Sequence, residues 1–166
     1  MLKVKPLADE AFGQFGTFAS LAPPTTTPLS QDAATAFWPD CTSLHNVGPV
    51  ATGSLSVGVC QVKWRPLKIT VCEYHTWASE YILPIDGDIY LHLGPPTADD
   101  KIPVDDLEVF FVPRGTAVVL KPGVWHHAPF ATRQEETVNV QILLPPRTYA
   151  NDCIVRELDK PVSFEA

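Results

Sequence analysis

At 166 residues, 45% of them hydrophobic and 19% charged, the chain has the composition of a globular protein and is long enough to bury a core as one domain without disulfide or metal staples. Seventeen prolines and nine glycines favour many turns and short strands over long helices, and a net charge of −7 disfavours nonspecific contact with nucleic acid or an anionic membrane. A small-molecule partner is expected; the start, Met1-Leu-Lys-Val-Lys-Pro6, lacks the apolar stretch of a secretory signal and no run approaches the roughly 20 apolar residues of a membrane span, so a soluble, cytoplasmic protein is expected.

Leu2-Lys-Val4-Lys alternates as a short strand, and Ala8 to Phe15 reads as a helical turn or two closed by Gly16. Residues 22–54 form an irregular segment, rich in Pro and Thr at its start, that would serve as a lid or a spacer within a single domain spanning 1–166. From Leu55 onward strand patterns dominate: Leu55–Lys63, Leu67–His75, Glu80–Ile85, Asp88–Leu93, Val109–Pro113, Ala117–Leu120 and Thr137–Leu144. Turns at Asp86-Gly87-Asp88, Gly94-Pro-Pro96, Arg114-Gly115 and Lys121-Pro-Gly123 separate them, with glycine giving positive φ and proline a fixed φ. Seven short strands at close spacing predict an all-β barrel or sandwich with one or two short helices. The four cysteines, Cys41, Cys60, Cys72 and Cys153, show no CxxC spacing and read as free thiols.

One stretch carries chemistry. Glu73, His75, Glu80 and Gly87 are spaced Glu-x-His-x4-Glu-x6-Gly, and Pro122-Gly123-Val-Trp-His126-His127 answers them downstream. Side chains alternate along a strand, so Glu73 and His75 share a face with Ile69 and Val71, and Cys72 and Tyr74 take the other. A carboxylate beside an imidazole on a buried face is costly to desolvate without a partner, and a divalent metal is the commonest one. Glu73, His75, Glu80 and His126 are the expected ligands, with nickel or manganese first and iron or zinc as alternatives. Only one of the two adjacent histidines, His126 or His127, can point inward. His92 reads as a solvated or hydrogen-bonded structural histidine. No nucleophile elbow, phosphate loop or dinucleotide fingerprint is present.

These segments resemble the cupin superfamily, and within it the ureidoglycolate lyases, formerly called ureidoglycolate hydrolases. The resemblance runs through Pro66-Leu67 to His75, Ile82-Leu-Pro84 with Gly87, Gly123-Val-Trp125-His126-His127-Ala-Pro-Phe130 and Asn151-Asp152-Cys153, and the start from Val4 to Gly16 also fits. Two positions depart from that pattern: glutamine stands there in place of Glu80, and an arginine precedes the first motif where this chain has Gln61, with Lys63 and Arg65 nearby. The resemblance implies a cupin-type β-barrel, a homodimer, and metal-assisted cleavage of ureidoglycolate to glyoxylate and urea in allantoin and purine degradation. Of the adjacent histidines, His126 is favoured over His127 because its distance from the Pro-Gly turn resembles the second motif of the cupins. Glu80 and His126 would be the catalytic groups. From the residues themselves, Lys63 and Arg65 could attract a small anionic substrate or stand as solvated charges, Gln141 could orient a urea-like group or lie on an exposed strand face, and Trp125, a candidate substrate contact, reads first as core or rim packing. Competing expectations are a metal-dependent cupin acting on another small hydroxy or keto acid, and a non-catalytic small-ligand binder.

Overall fold

The computed structural model describes residues 1–166. The chain opens with β1 (Leu2–Pro6), the one-turn helix α1 (Asp9–Phe12) and β2 (Gly16–Ser20). An irregular stretch follows, carrying the small pair β3 (Ser30–Gln31) and β4 (Ala36–Phe37). Next come β5 (Ser56–Lys63), β6 (Lys68–Tyr74), β7 (Glu80–Pro84), β8 (Ile89–Leu93), β9 (Glu108–Val112), β10 (Thr116–Leu120), β11 (Phe130–Ala131) and β12 (Thr137–Leu144). Helix α2 (Thr148–Asn151) and the long strand β13 (Ile154–Glu165) close the chain. Each of the seven strands expected from Leu55 onward forms within one residue of its expected ends.

The fold is all-β with two short helices. A six-stranded sheet runs β11-β8-β9-β1-β13-β6 and a five-stranded sheet runs β2-β10-β7-β12-β5. β1 is hydrogen-bonded in parallel to both β9 and β13, which ties the first residues to the last. The main core lies between the sheets: Ile82, Val118, Leu120, Val138 and Val140 from one meet Ile89, Leu91, Leu93, Phe110 and Val112 from the other, and Phe12 and Phe15 close one side. Burying each such side chain contributes about 1.5–3 kcal/mol.

A second core sits on the opposite face of β8 and β9, where Tyr90 and Val109 pack with Ile69, Cys72, Trp125, Phe130 and Phe164. β8 is therefore buried on both faces. Of the two readings of His92, solvated or hydrogen-bonded structural, the second holds: it is 1% exposed, its Nε2 lies 3.3 Å from the Val71 carbonyl, and its Nδ1 has no partner. Ile69 also departs from expectation, joining the cluster of Cys72 rather than the side of Glu73 and His75. The departure falls beside an irregularity in the pairing of β6 with β13, whose register shifts between Glu157 and Val162 opposite Thr70. All four cysteines are free, as the spacing predicted.

Candidate metal centre

β6 delivers Glu73 and leads directly into His75; the turn through residues 76–79 then brings the chain back so that Glu80 opens β7. The second half-site arrives on the segment before β11. Gly123, at φ 84°, makes the turn in a region that favours glycine, and its N–H donates to the His75 carbonyl at 2.7 Å. Three residues later the segment pairs with β6, His126 N–H donating to the Glu73 carbonyl at 2.8 Å and Glu73 N–H to the His126 carbonyl at 2.6 Å. Directly opposed residues of an antiparallel pair project to the same side, so Glu73 and His126 face one point.

His75 and His126 are 4% and 3% exposed. Their Nε2 atoms each lie 2.9 Å from Glu80 Oε2. Their Nδ1 atoms lie 2.6 Å from the Asp152 carbonyl and 2.8 Å from the Val124 carbonyl respectively. A carbonyl only accepts, so each Nδ1 carries a proton and each Nε2 is turned inward. Burial pulls Glu80 upward, but the charge and hydrogen bond of His126 and the hydrogen bond of His75 outweigh it and hold the carboxyl at about 2. Burial pulls His126 downward, and the charge and hydrogen bond of Glu80, with Glu73 adding, raise it to about 9. Without a metal, Glu80 is thus a carboxylate beside an imidazolium.

The donor set fits a divalent ion. One ligand atom each from Glu73, His75 and His126 lies within 4.8 Å of the others. Two donors at right angles on an ion with bonds of about 2.1 Å stand about 3 Å apart, which is the separation of Glu80 Oε2 from each Nε2. Nδ1–H bonds to backbone carbonyls are the usual outer anchors of imidazole ligands. An inward convergence of nitrogen lone pairs and carboxylate oxygens needs a cation between them, whether proton or metal.

The anchors come from far along the chain. Asp152, 6% exposed, takes the Thr76 N–H at 2.8 Å and the Thr76 hydroxyl on Oδ1, and the Trp77 N–H at 2.8 Å on Oδ2, while its carbonyl holds His75. Cys153 Sγ donates to Glu73 Oε2 at 3.3 Å; burial, then the charge of Glu73, pushes that thiol up to about 12, so it stays protonated and orients the carboxylate. The middle of the irregular segment is pinned to the same turn: Ser79 Oγ donates to the His45 carbonyl at 2.9 Å, Ser79 N–H to Asn46 Oδ1 at 2.9 Å, and Val47 N–H to the Trp77 carbonyl at 2.8 Å. Asn46, Ser79 and Asp152 were not singled out from the sequence; only Asn151-Asp152-Cys153, through the resemblance, pointed near them.

The remaining expected contacts fall elsewhere. Gln141 pairs with Val59 and Leu83 and alternates with the core residues Val140 and Ile142, so it lies on the outer face of its sheet, away from the cluster. Lys63 shares that outer face with Gln61, whose amide donates to Asn139 Oδ1. Trp125 is fully buried in the second core, edge-on to Tyr74, with its indole N–H donating to Thr97 Oγ1 at 2.9 Å; it turns away from the side His126 faces because adjacent strand residues alternate. Arg65 donates to the carbonyls of Ala128 and Pro129 at 2.8 and 2.9 Å and lies 3.8 Å over the Phe130 ring. None of these four belongs to the cluster of Glu73, His75, Glu80 and His126. His127 lines a different groove, with His92 and Arg65.

A family model described as ureidoglycolate lyase matches residues 1–165. The ureidoglycolate lyase of Pseudomonas aeruginosa (strain LESB58) is 28% identical over 127 residues, 76% of this chain and 73% of that protein. The ureidoglycolate lyase of Pseudomonas fluorescens (strain Pf0-1) is 26% identical over the same length, 76% of this chain and 74% of the relative. Among solved structures, a dTDP sugar isomerase from Desulfovibrio desulfuricans G20 aligns at a TM-score of 0.49 with 14% identity, covering 82% of this chain and 76% of that one.

Proposed function

That the chain belongs to the ureidoglycolate lyase family is the premise from which we propose that it is a lyase cleaving ureidoglycolate to glyoxylate and urea at the cluster of Glu73, His75, Glu80 and His126. The observation that supports this reading is the convergence of both Nε2 atoms on Glu80 Oε2, with Glu73 alongside. Those four side chains would hold one divalent ion, nickel or manganese by preference, which when bound lowers the pKa of a coordinated hydroxyl and stabilises the alkoxide.

Ureidoglycolate is a carbinolamide, its central carbon bearing a hydroxyl, a carboxylate and a urea nitrogen. Its cleavage moves one proton from the hydroxyl to the departing nitrogen as the C–N bond breaks and the C=O bond forms. Glu80 Oε2, 2.9 Å from both Nε2 atoms, would be its ligand oxygen, whereas Oε1 has no hydrogen-bond partner within the chain. Glu80 Oε1 collects the hydroxyl proton and returns it to the urea nitrogen, acting as base and then as acid. The Nδ1–H bonds of His75 and His126 to the Asp152 and Val124 carbonyls fix both rings, leaving their Nε2 atoms as the ones that would bind the ion. The valine and leucine walls of the main core exclude water behind the cluster.

The test is metal content and glyoxylate release in Glu73→Gln and His126→Ala proteins. Loss of both supports the assignment; full occupancy and full rate in either variant overturns it. We also read the protein as a homodimer: β5 is an edge strand with Val57 and Val59 exposed on its outer face, a surface that self-pairing would cover. Sedimentation at micromolar concentration distinguishes a dimer from a monomer.

A further inference from the structure

The inner face of the five-stranded sheet carries more than Glu80. A cavity of about 230 Å³ lies between β5, β12 and α2, and strand register fixes its relation to the cluster. Tyr81 pairs with Leu143, so Glu80 stands beside Leu144 on the next rung; Leu144 pairs with Ser56, Ile142 with Gly58 and Val140 with Cys60. Because alternate residues share a face, Ser56, Cys60, Ile142 and Leu144 line the cavity from the same side of the sheet as Glu80. Glu80 is one strand over from that lining, a spacing of about 5 Å. The Cys60 thiol registers the proximity: burial raises it first, and the charge of Glu80 adds to the rise.

Arg147 is the one charged residue lining this cavity. It takes part in none of the chain's ion pairs. Its backbone is left-handed at φ 63°. Arg65, the arginine closest to the first motif, is by contrast occupied by two backbone carbonyls and an aromatic ring. A planar, always-charged guanidinium with free donors suits a carboxylate better than any other side chain.

We propose that Arg147 binds the substrate's carboxylate, making this cavity a subsite for small carboxylate-bearing ligands whose reacting carbon is turned toward Glu80. The inference rests on the lyase reading for the identity of the substrate, and on register and cavity lining for the place. It makes Arg147 the specificity-determining residue that separates carboxylate substrates from their uncharged analogues.

The experiment is calorimetric titration of the metal-loaded protein with glyoxylate and with glyoxylamide, its uncharged counterpart, alongside steady-state cleavage of ureidoglycolate. The unsubstituted chain, Arg147→Gln and Arg147→Lys are compared at equal metal content. Loss of a charge pair predicts glyoxylate binding about 30-fold weaker or more in Arg147→Gln, KM raised by a similar factor, kcat within about threefold and partial recovery in Arg147→Lys. Glyoxylamide should bind the unsubstituted and Arg147→Gln proteins alike. Equal glyoxylate affinity in the unsubstituted and Arg147→Gln proteins, or no glyoxylate binding at all, overturns the proposal. Glyoxylate binding that depends on Arg147 in a protein that does not cleave ureidoglycolate would sink the reaction assignment and leave the subsite standing.

Discussion

The backbone carbonyl of Asp152 accepts the Nδ1–H of His75 at 2.6 Å, although 77 positions separate the two residues. The side chain of Asp152 meanwhile takes the N–H groups of Thr76 and Trp77. One residue of the C-terminal segment thereby fixes the ring orientation of a candidate ligand and the turn leading to Glu80. Outer-shell partners of this kind typically account for 10–100-fold in metal affinity. Asp152→Asn should therefore weaken divalent-metal binding by about tenfold and Asp152→Ala by about 100-fold, as read by competition with a chelating dye. Unchanged affinity in both would show that the turn holds its shape without the carboxylate.

The charged pair of Glu80 and His126 makes the metal-free protein pH-sensitive in two directions. His126 is raised in the fold from 6.5 to about 9, so its contribution is complete below pH 6.5 and lost as pH rises through 9. Glu80 is lowered from 4.5 to about 2, so its contribution is complete above pH 4.5 and lost as pH falls through 2. Metal-stripped protein should show its highest melting temperature between pH 4.5 and 6.5 as far as this pair decides it. Metal affinity runs the other way, since binding displaces the His126 proton; it should rise about tenfold per pH unit until pH 9. Titrations at pH 6, 7 and 8 in chelator-treated samples check both slopes.

His92 adds an acid-side liability. It is fully buried against the Val71 carbonyl and the Phe130 ring, and burial, with His127 and His126 adding, lowers it to about 3. The unfolded chain takes up this proton below pH 6.5 and the folded chain does not until about 3, so stability falls with pH through that window. His92→Leu keeps the volume and removes the orphaned Nδ1. It should be no less stable than the unsubstituted chain at pH 7 and more stable by about 1 kcal/mol or more at pH 5, measured by urea unfolding.

Gly16 opens β2 against Leu120, and a Cβ there would lie 1.8 Å from the Val119 carbonyl oxygen. Backbone must move to admit it. Gly16→Ala should cost about 3 kcal/mol or more, seen as a lower urea midpoint with the metal site's spectrum retained once folded.

The sequence was most legible where period-two alternation met a turn residue. Thr137–Leu144 and Glu80–Pro84 follow their patterns to the residue or nearly so, and the Glu73, His75, Glu80 and His126 spacing is realised as one cluster. β13 was illegible because its outer half is exposed, Pro161 interrupts it, and the stretch holding that proline is unpaired with β6. β1 gains a parallel neighbour on each side, a pairing no local pattern announces. His92 stayed open between a solvated and a hydrogen-bonded structural role because a strand buried on both faces looks, along one face, like an amphipathic one; burial decides for the second. Gln141, Lys63 and Trp125 lie away from the cluster for the converse reason: alternation already placed each on the face opposite a core or ligand neighbour, Trp125 packing in the second core. Asp152 acts through a backbone carbonyl, an interaction to which residue identity gives no signal.

The central claim is that four side chains hold one divalent ion and that Glu80 moves the proton when ureidoglycolate is cleaved. Glyoxylate and urea release above the spontaneous rate, in metal-stripped protein, in protein reloaded with nickel or manganese, and in reloaded Glu80→Gln, tests it most directly. The account predicts equimolar products only after reloading, and a rate at least about 100-fold lower in Glu80→Gln. Release that is equal in stripped and reloaded protein, or unchanged by Glu80→Gln, would contradict it.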